Sequence, residues 1–182
     1  MKYNYVASVS VMVAAALSVS ACSILSPDES ELSADNIEVS SSEAPSFEAE
    51  DVQQKEVTSN LGAPQKDEGL GVTWQLQGLF ADNVQGTVVT ILVKNDNDKP
   101  VPPEAIEEPT LERADGNGGW ADVELLPYDE NTNADVASPG LDAPLGENGA
   151  TNLQYRFDVA PGNLWNARLS IGNVTWSGDL NI

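Results

Sequence analysis

The chain is 182 residues long and carries 29 acidic against 8 basic residues, with no histidine, one cysteine and two methionines. A net charge of −21 at neutral pH excludes a nucleic-acid surface, which needs clustered Lys and Arg to meet phosphates. The missing residue types exclude Ser-His-Asp and Cys-His catalysis, imidazole metal centres and any intrachain disulfide, so only carboxylate, hydroxyl, amide, Lys and Arg chemistry remains.

The first element is a leader. Lys2 precedes an apolar run from Val11 to Leu17, which closes on Val19, Ser20 and Ala21 just before Cys22. A basic start, a short apolar stretch and small residues at the end form a secretory signal. The run falls short of the roughly 20 residues a membrane span needs. With a lone cysteine directly after the small residues, this leader resembles that of bacterial lipoproteins. The resemblance implies cleavage after Ala21, lipid attachment at Cys22, and an extracytoplasmic protein anchored to the cell membrane. Two or more acyl chains give stable anchoring where one gives only marginal binding. Met1 and Met12 both lie in this leader, so no methionine copper site is expected beyond it.

Residues 22–70 follow as an acidic, Ser- and Pro-rich stretch, with 12 acidic and 2 basic residues between Ser23 and Leu70. Few large apolar residues and no sustained period predict a disordered stalk, because too little apolar surface is available to offset the ordering entropy.

Residues 71–182 carry strand signals. Val72, Trp74 and Leu76 alternate with Thr73, Gln75 and Gln77, and Gly78 suggests a bulge or strand end. Thr87 to Val93 is apolar on both faces and predicts a central strand. Asn95 to Pro100 is turn chemistry, and Pro102 and Pro103 forbid a regular strand behind it. A weaker strand surrounds Leu111, another runs from Trp120 to Leu126, and Pro127 to Ala150 reads as a long loop. Leu153, Tyr155, Phe157 and Val159 then face one way, and Asn152, Gln154, Arg156 and Asp158 the other. Beyond Pro161-Gly162, the alternation Trp165, Ala167, Leu169, Ile171 and then Val174, Trp176 predicts a terminal hairpin. About seven short strands at roughly ten-residue spacing predict an all-β, antiparallel immunoglobulin-like sandwich.

The run from Val88 to Val101 and the run from Tyr155 to Pro161 are similar to the strand-and-turn segments of small Ig-like domains in actinobacterial-type envelope lipoproteins and secreted antigens. This resemblance covers residues 71–182. It implies a domain that is not an enzyme and uses no cofactor, and fold alone does not name its activity. Related sandwiches act as periplasmic copper chaperones, but their His and Met ligands are missing here.

Two places could carry chemistry. Asp129, Asn131, Asn133 and Asp135 set oxygen ligands at alternate positions, as calcium loops do. Ala134 stands where an EF-hand has its glycine and Gly140 where it has its bidentate glutamate, and Asp and Asn favour turns without any metal. The run therefore reads as a solvated loop ahead of a calcium site. Trp74, Trp165 and Trp176 sit on apolar strand faces and are expected in the core. Trp120 follows Gly118-Gly119 and shares a face with Asp122 and Glu124. It is expected to cap the end of the core, with contact to a protein or glycan partner as the alternative.

Together these features predict a non-catalytic, lipid-anchored envelope domain that binds or organises another envelope component, an unknown protein or glycan. A calcium-dependent adhesion or buffering module is the first alternative. A carboxylate hydrolase of wall sugars, using two acidic side chains, is the second.

Overall fold

Alternating apolar residues need a second layer to bury them, and the chain supplies it as two sheets packed face to face. A computed structural model describes residues 46–182. All of them belong to one compact unit. Its strands are β1 (Lys55–Val57), β2 (Gln65–Asp67), β3 (Val72–Ala81), β4 (Thr87–Asn95), β5 (Thr110–Ala114), β6 (Trp120–Val123), β7 (Ala150–Phe157), β8 (Ala167–Ile171) and β9 (Val174–Gly178). One sheet has the order β1-β9-β8-β5-β6 and the other β2-β3-β4-β7. Every pairing between these strands is antiparallel except β1 on β9.

The expected alternations place the core. Val72, Trp74 and Leu76 of β3 are buried, as are Leu153, Tyr155 and Phe157 of β7, Ala167, Leu169 and Ile171 of β8, and Val174 and Trp176 of β9. Strand β4 is flanked by β3 and β7 and buries Val88 as well as Val89, so it is apolar on both faces. The β3–β4 register shifts between Leu76 and Gly78, where the glycine holds φ at +133°, a bulge that a side chain would strain. Asn95 ends β4 fully buried, its Nδ2 donating to the carbonyls of Lys99 (2.8 Å) and Leu145 (2.9 Å). One buried amide thus shapes the proline-rich turn and ties it to the long loop. That loop holds no named strand, although Leu145 bridges Val101.

Two expectations need correction. The acidic segment does not stay outside the domain up to residue 70. Lys55, Glu56 and Val57 pair in parallel with Val174, Thr175 and Trp176, and Val57, Leu61 and Leu70 enter the core. Asp67 binds the segment further: its residue is 1 % exposed, and its carboxylate accepts from Gly69 N (3.0 Å), Leu70 N (3.1 Å), Trp74 Nε1 (3.0 Å), Asn173 N (2.8 Å) and Asn173 Nδ2 (3.0 Å). The folded unit therefore includes residues 46–70. The expected signal peptide (residues 1–21), Cys22 and the rest of the expected stalk (residues 23–45) lie outside the described residues.

Trp165 is the second. It is 65 % exposed, because the chain makes a 3₁₀ turn over Pro161–Asn163 and sends Leu164, fully buried, into the core in its place. Strand β8 begins only at Ala167, and from there the expected phase holds. Trp165→Ala is therefore expected to change unfolding free energy by no more than about 0.5 kcal/mol. Trp176→Ala, emptying a fully buried site, should cost about 3–5 kcal/mol. Paired urea melts of the two variants check this.

Candidate functional site

The alternate oxygens of the 129–135 run do not converge on a point. Asp129 Oδ1 accepts from Asn131 N (2.8 Å), and its carbonyl accepts from Asn133 N (2.8 Å), which is a turn closed on itself. Asp135 points elsewhere and accepts from Asn83 Nδ2 (3.0 Å). Asn133 is only 3 % exposed, and its Oδ1 accepts from Asp129 N (3.1 Å) and from Arg156 Nη1 (3.2 Å). A cation is thus already in place at that oxygen, supplied by the protein. Among the described residues no group of three His, Cys, Asp or Glu side chains is placed to hold a metal ion.

Arg156, on the face of β7 opposite Leu153, Tyr155 and Phe157, is only 7 % exposed. Its Nε (2.6 Å) and Nη2 (2.5 Å) both reach Asp82 Oδ2, and Nη1 donates to the carbonyl of Pro127 (2.9 Å). Burial pushes the Asp82 carboxyl up, but the bonds from Arg156 and the backbone outweigh it and hold it below its ordinary value. The ion pair joins the β3–β4 hairpin to the loop that covers this end of the sheet. One signal could have exposed this. Val88 lies opposite Arg156 and is apolar, so the face they share could not be fully wet.

On the long side between β6 and β7, the segment just past β6 pairs with the C-terminal end of β7 and leaves the main chain of Asn152 and Gln154 unpaired among the described residues. Strands β6 and β7 are each the last of their sheet, and Leu125, just past β6, bridges Phe157 of β7. A cavity of ≈220 Å³ lies there, walled by apolar residues including Leu125, Pro127 and Val136, with Glu108, Tyr155 and Arg156 as polar lining. A shallower hollow of ≈320 Å³ beside it shares Glu108 and Leu125 and adds Asp122. Tyr155 is 2 % exposed, and its Oη has no hydrogen-bond partner. Burial, and then the charge of Glu108, pushes its hydroxyl pKa up to about 12.

Trp120 lies on the outer face of the five-stranded sheet, half-buried. The Arg168 guanidinium stacks 4.2 Å from its ring centroid, a cation–π contact. Glu112, paired with both Arg168 and Asp122, continues this polar face. Gln54 and Ser170 both engage Thr175 Oγ1 at 2.8 Å, and Glu56 lies 3.9 Å from Arg168. Trp120 is thus half-buried beneath Arg168 on a polar outer face and does not pack into the core.

No protein-family model, curated protein or solved structure matches the chain.

Removing Arg156 strands a carboxylate that is only 4 % exposed. Arg156→Ala is therefore expected to lose about 3–5 kcal/mol of stability. The double variant Asp82→Ala/Arg156→Ala should recover part of that loss in denaturant melts. Additive losses would show that the two groups do not act as a pair.

Proposed function

We propose that the protein is a lipid-anchored, extracytoplasmic Ig-like domain on an acidic stalk, and that it binds or organises another envelope component without catalysis. The observation that carries this reading is the leader: a short apolar run closing on small residues directly before Cys22, the only cysteine in the chain. The stalk in this reading is residues 23–45, since the folded unit already includes residue 46 onward.

The carboxylates support a binding role over a hydrolytic one. A glycosidase needs one acid held above its ordinary range to protonate the leaving group. Asp67, Asp82, Asp96, Asp115 and Asp179 are all held below the ordinary carboxylate range, so none of these five is such an acid. Each accepts hydrogen bonds that shape a turn, a sheet contact or an ion pair. The charge of the whole chain also keeps it soluble and apart from its copies.

Mass spectrometry of the mature N-terminus tests the anchor. An acylated Cys22 at the first position is expected, and Cys22→Ser should leave the protein uncleaved or released from the membrane fraction. A mature chain with a free Cys22 thiol would overturn the proposal.

A further inference from the structure

We propose that the hollow between β6 and β7 is a docking groove for an extended peptide bearing a lysine or arginine, which pairs with the unpaired Asn152–Gln154 stretch of the β7 edge and directs its basic side chain to Glu108. Three independent features of this place lead to it.

The first is the main chain. Leu126 N donates to the Arg156 carbonyl (2.7 Å) and Asp158 N donates to the Glu124 carbonyl (2.9 Å). Even-numbered residues of β7 therefore turn their N–H and C=O groups away from β4. Asn152 and Gln154 lie on that same edge, and their main-chain groups have no partner there among the described residues. Such an edge accepts a further strand, whose main chain supplies affinity while side-chain pockets supply selectivity.

The second is the cavity beside that edge. Its lining includes Tyr155 and Gln154 of β7 itself, so a side chain from an added strand has a hollow to enter. The Tyr155 hydroxyl lies behind this lining, buried and without a partner, so the polar group that a ligand meets at the mouth is Glu108. The methylene stem of a lysine would lie along Leu125, Pro127 and Val136, leaving its ammonium at the polar end.

The third is charge. Glu108 is exposed where the two hollows meet, and Asp122 lines the second. Arg156, the one cation lining the groove, is already paired with Asp82. On a chain of net charge −21, a basic segment is drawn in, and an acidic segment or a second copy is repelled.

This inference rests on the binding role proposed above but not on the lipid anchor, so the two can fail separately. The test uses the full mature chain and two fluorescein-labelled synthetic peptides, an alternating Val/Thr heptapeptide with a central lysine and its central-glutamate counterpart. Anisotropy should show the lysine peptide binding at least about tenfold tighter, a difference near 1.4 kcal/mol. Glu108→Gln should weaken it several-fold, and Gln154→Pro, which removes one edge N–H, should abolish it. Melts establish that each variant is folded. Bound peptide should slow amide exchange at Asn152 and Gln154. No binding of the lysine peptide, equal binding of the two peptides, or binding indifferent to Glu108→Gln and Gln154→Pro would each overturn the proposal.

Discussion

The carboxylate of Asp67 is the contact on which the two sheets depend. It belongs to β2 of one sheet and takes two of its donors from Asn173, in the β8–β9 turn of the other, with a third from the Trp74 indole between them. A buried charge without an ion-pair partner is costly, and here five N–H groups offset that cost. Burial pushes the carboxyl up, but the donors from Asn173, Trp74 and Leu70 prevail and hold it below its ordinary value. Its contribution is therefore complete above the unfolded-state pKa of about 3.9 and is lost as pH falls through the folded-state value. The cage also fixes the turn residue beside it. Gly172 has φ of +52°, and a Cβ there would run into the Asp67 carboxylate.

This clamp gives the sandwich two unlike long sides. At one side β1 and β2 are drawn in from an acidic segment, and the cage stitches the sheets together. At the other, β6 and β7 end their sheets with hollows between them and a bare stretch of main chain. The buried Arg156–Asp82 pair and the bond from Arg156 to the Pro127 carbonyl tie the covering loop to that second side.

Much of the frame was legible in the sequence, because period-two alternation is a direct record of which side chains face the core. Trp74 and Trp176, the bulge at Gly78 and the doubly buried β4 follow from it. What escaped is held by polar contacts that leave no period. β1 and β2 are three residues each, too short to alternate, and they are retained by pairing and by the Asp67 cage. Trp165 was misplaced because a 3₁₀ turn shifted the core position to Leu164. The burial of Arg156 left no period, because alternation tells which face a residue is on, not whether a distant loop covers that face. The hollow at Tyr155 was invisible for the same reason, since its walls come from segments far apart in the chain.

The clamp is tested most directly by a double-mutant cycle of Asp67→Ala and Asn173→Ala, read by urea unfolding at neutral pH. Side-chain partners that share a buried hydrogen bond should couple by about 1–3 kcal/mol, the double variant losing less than the sum of the singles. Losses that add within about 0.3–0.5 kcal/mol would contradict the claim that this carboxylate holds the two sheets together.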